Sequence, residues 1–308
     1  MTATARPRPT LGSVRRVRRG FNALRGVQGF RRATQTVVAL YVAGLIVNRA
    51  TATGPGATTA EALCPFGGME TIVGFVTTGT FVPHVHLSNV VLAVALLLTA
   101  FLVRGAFCGW LCPLGFLQDL VAGLSSTVQA HVPAVKRGIR GLRTHAAPLA
   151  RLDRPLRLLK YAVLVWAIWG ATVFGVMVFR DVDPWAALLE IGRESLGLGA
   201  VVLAVTLVGA FFVERPWCRY ACPLGAVNGL AARFSPVFLQ RTQAACTDCG
   251  LCTKACPMGI DVARAEKVTS VDCTGCLECV EACPRAGALD LRVGLPIVYV
   301  TPPIRQGA

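Results

Sequence analysis

The chain has 308 residues, of which 54% are hydrophobic and 15% are charged, and its formal net charge is +15. Soluble domains carry about 25% charged residues, so this composition excludes an ordinary soluble domain and favours a membrane protein. Eight of the 13 cysteines fall between Cys246 and Cys283. That clustering argues against a secreted disulfide framework, which spreads its cysteines through a small loop-rich chain. It is typical of metal ligands instead.

Four apolar segments have about the length that a helix needs to cross a bilayer, which is roughly 17–25 residues. We predict that each spans the membrane, so that the fold begins with an all-α membrane bundle of about four helices. The predicted spans are residues 33–48, 87–103, 161–179 and 196–213. A further apolar segment, residues 71–83, is too short to cross.

The distribution of Lys and Arg predicts the orientation of these spans. Nine of them fall in residues 1–32, nine in residues 104–160 and ten in residues 214–308, whereas residues 50–87 contain none. Because basic loops stay on the cytoplasmic side, both termini and the middle loop are predicted to be cytoplasmic. The positive charge is thereby explained by topology and contact with membrane lipid, so we predict no nucleic-acid partner.

Two segments of 20 residues resemble each other. FLVRGAFCGWLCPLGFLQDL (residues 101–120) and FFVERPWCRYACPLGAVNGL (residues 211–230) share the pattern Cys-x-x-x-Cys-Pro-Leu-Gly. Each follows an apolar segment and begins at its predicted cytoplasmic end. The bundle is therefore predicted to consist of two duplicated hairpins, each of which ends in the same cysteine pair.

The C-terminal cysteines form two copies of C-x2-C-x2-C-x3-C-P, namely CTDCGLCTKACP (residues 246–257) and CTGCLECVEACP (residues 273–284). This is the run of bacterial two-cluster ferredoxins, in which the fourth Cys of each motif binds the other cluster. We therefore expect an α+β ferredoxin domain with two [4Fe–4S] clusters, and short strands at residues 260–262 and 288–293. The expected ligands are Cys246, Cys249, Cys252 and Cys283 for one cluster, and Cys273, Cys276, Cys279 and Cys256 for the other. Two complete motifs argue against the alternative, a zinc ribbon.

The cysteines of the repeat are Cys108, Cys112, Cys218 and Cys222. In a helix, residues four apart lie on one face, so each pair would present two thiols in one direction. The prolines after the pairs are expected to end those helices. We predict a further redox or metal site here, first a third cluster and second a thiol pair or a copper site. Buried structural cysteines are the alternative.

Cys64 lies in the predicted outer loop together with His84 and His86. These three residues are a weaker candidate site for a metal, a haem or a quinone headgroup, and surface histidines beside a buried thiol are the alternative. The sequence shows no catalytic constellation and no dinucleotide-binding fingerprint, so no catalytic residue is predicted.

The combination of four predicted spans, CGWLCP, CRYACP and the two C-terminal motifs resembles the NapH/MauN-type membrane-bound [4Fe–4S] ferredoxins, which are related to NosR-like and RdxA/CcoG-like proteins. The resemblance extends over about residues 33–290. It implies an electron carrier of the oxidoreductase type, or a quinol dehydrogenase component, that links the quinone/quinol pool to a partner redox protein. It also implies a multi-pass protein of the bacterial cytoplasmic membrane, with a cytoplasmic ferredoxin domain and a role for the repeated cysteine pairs.

The expected division of the chain is a basic tail (1–32), a membrane domain (33–235) with its cysteine motifs at 108–113 and 218–223, a ferredoxin domain (240–293) and a C-terminal tail (294–308). Two hypotheses of another class stay open at this point. One is an accessory protein for metallocentre assembly or copper reduction, and the other is a redox-sensing membrane scaffold.

Overall fold

A computed structural model of the protein describes residues 26–51, 65–79, 87–145, 147–174, 177–191 and 197–294. The helices are α1 (Val27–Thr51), α2 (Pro65–Thr78), α3 (Leu87–Val103), α4 (Pro113–His131), α5 (Pro133–His145), α6 (Ala147–Leu156), α7 (Leu159–Phe174), α8 (Pro184–Leu189), α9 (Leu198–Phe212), α10 (Pro216–Tyr220), α11 (Pro223–Ala232), α12 (Leu251–Lys254) and α13 (Glu278–Glu281). The strands are β1 (Val237–Arg241), β2 (Lys267–Val268) and β3 (Leu289–Val293).

Helices α1, α3, α7 and α9 coincide with the four predicted spans. Within the described ranges, only Leu152–Phe174 is both long and apolar enough to cross a membrane. The apolar helices Ser88–Val103 and Leu198–Phe212 are shorter. The structure is mostly helical, as predicted, whereas a bundle of four membrane spans stays a prediction.

Large apolar side chains lie on the outer surface of these helices. Leu98 of α3, Val165 and Trp169 of α7, and Val205 and Val208 of α9 are all more than half exposed. Soluble monomers rarely expose contiguous apolar patches of more than a few hundred Å², and larger ones mark contact with a membrane or another protein. The helical part therefore has an apolar outer surface that needs a partner.

The two repeats are interlocked. Helix α4, which follows the first cysteine pair, packs along α9 of the second repeat, and α11, which follows the second pair, packs along α3 of the first. The Ser125 hydroxyl of α4 donates to the carbonyl oxygen of Phe211 in α9 at 2.6 Å. Each repeat therefore completes its packing with a helix of the other.

Between the repeats, the basic middle loop forms α5 and α6. Both are short helices with one apolar side and one basic side, and Ile139 of α5 is buried. The loop lies next to the cysteine motifs in the fold, because α5 packs on α4 and α6 on α7.

The C-terminal part has a three-stranded antiparallel sheet with the strand order β2-β1-β3. Leu239 of β1 pairs with Val268 of β2 on one side and with Leu291 of β3 on the other. The prediction of a strand at residues 260–262 was wrong, because this segment is a turn whose Val262 side chain enters the core with only 1% exposure. The strand predicted at residues 288–293 is confirmed as β3.

Candidate iron–sulfur and thiol site

The two ferredoxin motifs have the same backbone conformation around their second cysteine. Asp248 and Gly250 flank Cys249 with φ angles of 49° and 69°, and Gly275 and Leu277 flank Cys276 with φ angles of 61° each. Left-handed residues of this kind turn successive N–H groups toward one side of the loop, where they can donate to an anion. Each loop is therefore shaped to hold a negatively charged group next to its cysteines.

The eight C-terminal thiols fall into two groups by their electrostatic neighbours. Burial raises the pKa of Cys252, and the nearby thiols of Cys283, Cys249 and Cys246 raise it further. We call these four the distal set. Burial raises the pKa of Cys279, and the nearby thiols of Cys276, Cys273 and Cys256, followed by Cys252, raise it further. We call Cys256, Cys273, Cys276 and Cys279 the proximal set. The structure thus brings together the thiols that the spacing assigns to each cluster, and the ligand assignment itself stays a prediction.

The two sets differ in exposure. All four distal thiols are partly exposed, whereas Cys276 and Cys279 of the proximal set are buried. The proximal thiols line a small cavity together with apolar residues of the sheet, Leu239 and Val268 among them. Four thiols around one apolar cavity are the donor set that an iron–sulfur cluster takes, so the residues present fit this group.

Burial raises the pKa of Cys276 to about 12 and that of Cys279 further still. Thiols with such pKa values stay protonated near neutral pH. Coordination to iron removes these protons, because a metal supplies the positive charge that the buried thiolate needs.

We predicted that each repeated cysteine pair lies on one face of a helix. That prediction was wrong. Phe107–Leu111 is a π-helical turn, and Cys112 is the N-cap of α4. Likewise Cys218 lies in α10, and Cys222 is the N-cap of α11. The prolines after the pairs occupy the first turn of the next helix, where the missing N–H costs nothing. They therefore begin helices instead of ending them.

This arrangement places one thiol of each pair at a helix N-terminus. The Cys222 sulfur accepts a hydrogen bond from the Gly225 amide at 3.3 Å. Burial raises the pKa of Cys112, and hydrogen bonds from the Gly115 and Leu114 amides oppose that shift. A helix N-terminus favours negative charge, but burial outweighs it, so the pKa of Cys222 lies well above its ordinary value and that of Cys112 is also raised.

The other thiol of each pair is held by an amide from the opposite repeat. The Asn228 side chain donates to the Cys108 sulfur at 3.0 Å, and the Gln118 side chain donates to the Cys218 sulfur at 3.5 Å. Asn228 and Gln118 occupy equivalent positions of the repeat, ten residues after the first cysteine. The two halves therefore surround their cysteines with pseudo-two-fold symmetry.

The four repeat thiols are close enough to influence one another. Burial raises the pKa of Cys222, and the nearby thiols of Cys218, Cys108 and Cys112 raise it further. Yet within the described ranges no three His, Cys, Asp or Glu side chains are arranged to hold a single metal ion.

The proximal ferredoxin loop rests directly on the first cysteine pair. The Trp110 indole donates to the carbonyl oxygen of Gly275 at 3.0 Å, and the Gln28 side chain donates to that of Cys276 at 2.6 Å. A Cβ atom on Gly105 would lie 2.6 Å from the carbonyl oxygen of Cys273. Only glycine permits this approach, so the sequence of the first repeat is shaped to fit the loop.

Buried charges connect the same elements. Arg215 donates from Nε to Asp119 at 2.6 Å and from a terminal nitrogen to the carbonyl oxygen of Cys108 at 2.9 Å. Arg31 contacts Asp119 at 2.9 Å and Glu278 at 2.5 Å. Both guanidinium groups are at most 2% exposed. Arg215 also influences Cys276 and Cys218, so a fixed positive charge lies between the repeat thiols and the proximal set.

A second group of charges anchors the other side of the ferredoxin domain. Lys160 of α7 forms an ion pair with Asp272, and Arg157 contacts the same carboxylate at 2.9 Å. Arg219, next to Cys218, forms an ion pair with Asp153 at 2.6 Å. The ferredoxin domain is thus also held by Arg157 and Lys160, at the start of α7.

The weaker candidates Cys64, His84 and His86 lie outside the described residues. Sequence reasoning missed Gln118, Asn228 and the buried arginines. The two amides carried a usable signal, because they align when the repeats are superimposed. Arg31 and Arg215 carried none, since their partners are far away along the chain.

Two family models match the chain. A "4Fe-4S binding domain" model matches residues 85–129 and again residues 196–242, and a "4Fe-4S dicluster domain" model matches residues 238–284. The first model therefore covers both cysteine pairs, which agrees with the internal duplication. The second covers the two C-terminal motifs and supports iron–sulfur clusters in this part of the chain.

Several curated proteins are similar to the chain. The putative electron transport protein YccM of Escherichia coli is 31% identical over 69% of this chain and 57% of its own length. An uncharacterized protein of Methanocaldococcus jannaschii is 30% identical over 66% of this chain and 76% of its own length. The ferredoxin-type protein NapH of Haemophilus influenzae is 32% identical over 54% of this chain and 52% of its own length.

The chain thus spans little more than half the length of YccM and about half that of NapH. No solved structure matches it. The matched 4Fe-4S models, the coverage of the archaeal relative and the similarity to NapH and MauN proteins agree with the two motif types described above. The chain is an iron–sulfur protein that belongs to the NapH/MauN-type ferredoxin family.

Proposed function

We propose that the chain is a membrane-bound electron-transfer protein that passes electrons between the quinol pool and a partner redox protein. The observation that carries this proposal is the order in which three sets of thiols lie next to one another. The repeat thiols Cys108, Cys112, Cys218 and Cys222 adjoin the proximal set, and the proximal set adjoins the distal set. Such an order matches a path from the helical part of the molecule to its surface.

In this proposal the distal and proximal sets each hold one [4Fe–4S] cluster, and each cluster accepts and donates single electrons when bound. The protein's own contribution is to fix the sets against each other. The hydrogen bonds from Gln28 and Trp110 to the proximal loop, and the pairing of Arg31 with Glu278, hold that loop against the first repeat. A path of this kind needs constant spacing, which these buried contacts supply.

The exposed end of the path is the distal set, where all four thiols are partly exposed. A partner redox protein would therefore dock near Cys249 and Cys252. Arg241 lies beside this set, since its guanidinium contacts Asp248 at 3.0 Å and lies 3.5 Å from the Cys246 sulfur.

The membrane placement is supported by the apolar outer surface of α3, α7 and α9 and by the asymmetric distribution of basic residues. The name of YccM as a putative electron transport protein and the ferredoxin-type names of NapH and MauN agree with the proposed role. The predicted orientation places the ferredoxin domain in the cytoplasm.

The repeat thiols are proposed to hold a third redox group, first of all another iron–sulfur cluster. Support comes from the 4Fe-4S model that covers both pairs and from the proximity of the four thiols, since the charges of Cys218, Cys108 and Cys112 all act on Cys222.

The test uses the protein purified anaerobically in detergent. Iron content is counted first: about eight iron atoms per chain correspond to two clusters and about twelve to three. A short-tailed quinol is then added, and cluster reduction is followed by EPR. We expect quinol to generate reduced-cluster signals, and the proposal fails if wild-type protein that dithionite reduces shows none with quinol at any quinol/quinone ratio.

A matched pair of variants tests the order of the sets. Cys276→Ser disrupts the proximal set, so quinol-driven reduction of the remaining clusters should slow at least tenfold while dithionite still reduces them. Cys249→Ser disrupts the distal set, so quinol-driven reduction should persist while transfer to an external acceptor slows. The opposite pattern would reverse the proposed path.

A further inference from the structure

An apolar cavity of about 270 Å³ lies between the two repeats. Small-molecule sites have volumes of roughly 300–1,000 Å³, so this cavity is near the lower end of that range. Its walls include Val38 of α1, Phe66 of α2, Leu92 of α3 and Leu114 of α4. None of the structural contacts described above accounts for it.

The lining of the cavity includes two repeat cysteines and two polar side chains. The cysteines are Cys112 and Cys222, the two N-cap thiols. The polar side chains are Asp183 and Trp185, and both belong to the turn that begins α8. The cavity therefore brings two repeat thiols and a small polar group to the walls of one apolar space.

The polar part of the lining has an unused hydrogen-bond donor. The Trp185 indole nitrogen is buried and has no hydrogen-bond partner among the described residues. Leaving a buried donor unsatisfied destabilises the fold, so its retention points to a ligand that completes it. Asp183 is 7% exposed and lies beside this indole, with its carboxylate accepting the Trp185 amide at 3.1 Å.

The cavity opens toward the apolar outer surface. Tyr41 of α1 and Leu111 of the π-helical turn both line it, and they are 62% and 37% exposed. The neighbouring α1 residues Val37 and Leu40 are also exposed. A ligand entering here would arrive from the hydrocarbon phase of the proposed membrane, with its tail left outside.

We propose that this cavity binds the ring of a quinone or quinol, with Trp185 donating a hydrogen bond to one ring oxygen and Asp183 serving as a second hydrogen-bond partner. The site deepens the proposed function and rests on it for the identity of the donor. A lipophilic ring with opposed oxygens fits an apolar cavity whose lining includes the polar groups of Asp183 and Trp185. Binding there places the ring between the lipid and the repeat thiols.

The protonation behaviour of Asp183 suits both forms of such a ligand. Burial raises the pKa of Asp183 to about 7, against the hydrogen bonds from the Trp185 and Ala186 amides. Burial, followed by the charge of Asp183, raises the pKa of the buried Glu70 to about 8. Near neutral pH, Asp183 can thus donate to a quinone carbonyl or accept from a quinol hydroxyl.

The experiment measures binding of decylubiquinone to the purified full chain by the rise in its unfolding temperature, since a ligand stabilises the folded state according to its concentration relative to Kd. Val38→Phe fills the cavity from α1 and should weaken binding at least tenfold. Val37→Phe changes the adjacent residue, which is 66% exposed and does not line the cavity, and should stay within about twofold of wild type.

A second pair of variants tests the donor. Trp185→Phe removes the indole nitrogen and should weaken binding about five- to tenfold. Trp169→Phe, on the outer surface of α7 at 55% exposure, should have no effect and controls for loss of a tryptophan. If Val38→Phe does not fold, this pair decides the question alone.

The site is refuted if wild type shows no saturable stabilisation, or if all four variants bind as wild type does. It is likewise refuted if the stabilisation scales with detergent concentration, which indicates partition into the micelle only. These outcomes are separate from the proposed function. If quinone binds in the cavity while quinol fails to reduce the clusters, the binding site stands and the proposal that quinol is the electron donor fails. If quinol reduces the clusters of every variant equally, quinol stands as the electron donor and the proposed binding site fails.

Discussion

Gly229 of α11 offers a direct measure of how tightly the ferredoxin domain sits on the helical part. A Cβ atom at this position would lie 2.5 Å from the carbonyl oxygen of Val271. Ordinary contact begins near 3.4 Å, so Gly229→Ala requires the two elements to separate by about 0.9 Å. Overpacking of this kind costs about 1–3 kcal/mol.

The same substitution at Gly123 of α4 provides the control. Gly123 is exposed, and a Cβ atom there meets nothing within 4 Å. Replacing glycine by alanine inside a helix stabilises the helix by about 0.8–1.0 kcal/mol. Gly123→Ala should therefore raise the unfolding temperature by about 1–3 °C, since 1 kcal/mol corresponds to about 2–4 °C in chains of 150–250 residues and to less in this longer chain.

Gly229→Ala gains the same helix propensity but loses the contact with Val271. Its net effect should range from about zero to a destabilisation of about 2 kcal/mol, so it should unfold below Gly123→Ala by about 1–3 kcal/mol. Thermal unfolding in detergent gives the comparison, and limited proteolysis between β1 and α11 detects partial undocking of the ferredoxin domain. The docking geometry is refuted if both variants are stabilised equally and resist protease equally.

Three further predictions concern buried polar contacts. Asp119→Leu leaves Arg31 and Arg215 buried without their shared carboxylate, so it should cost about 3–5 kcal/mol in chemical denaturation; Asp261→Asn, in an exposed pair, should cost less than about 1 kcal/mol. Burial disfavours ionisation of Asp153, but hydrogen bonds from Arg219, Tyr220 and Arg157 outweigh it and lower its pKa to about 2. Because an unfolded aspartate has a pKa of about 3.9, this contact stabilises the fold above about pH 4 and is lost as the pH falls toward 2, so Asp153→Asn should flatten stability over that window. Asn228→Leu removes the hydrogen bond to the Cys108 sulfur, so a redox group at the repeat thiols should show a lower reduction potential in an EPR titration; an unchanged potential would separate that group from Cys108.

Three thiols of each ferredoxin set come from one motif, and cysteines separated by two residues remain close in almost any compact loop. The fourth thiol, Cys283 or Cys256, comes from the other motif and was assigned from the two-cluster ferredoxin pattern, so the ligand assignment stays a prediction. The prolines Pro113 and Pro223 were interpreted as helix terminators, because proline interrupts a helix interior. The structure shows the opposite role, since each stands in the first turn of a new helix. Sequence alone does not show on which side of such a proline the helix lies.

Long-range contacts could not be predicted from the sequence for a different reason. The Arg215–Asp119 ion pair and the position of Asp183 in the cavity wall depend on how distant elements pack, and no local sequence pattern indicates that packing. The turn at residues 260–262 is a similar case. Its apolar residues have the composition of a strand, but β2 at Lys267–Val268 already pairs with β1, so Val262 serves as a core side chain instead.

The exchange of amides between the repeats has a consequence for how such a molecule is assembled. A single hairpin lacks the side chain that holds its own first cysteine, because Asn228 reaches Cys108 and Gln118 reaches Cys218. Two identical hairpins would have to associate as a two-fold pair, and an attached domain could then bind that pair at two equivalent positions. The two repeats differ at equivalent positions, where one has Gly109 and the other has Arg219. Gly109 packs against Thr274 and Arg219 packs against Gly259, so the two binding positions are not equivalent. The domain then has one orientation on the helical part.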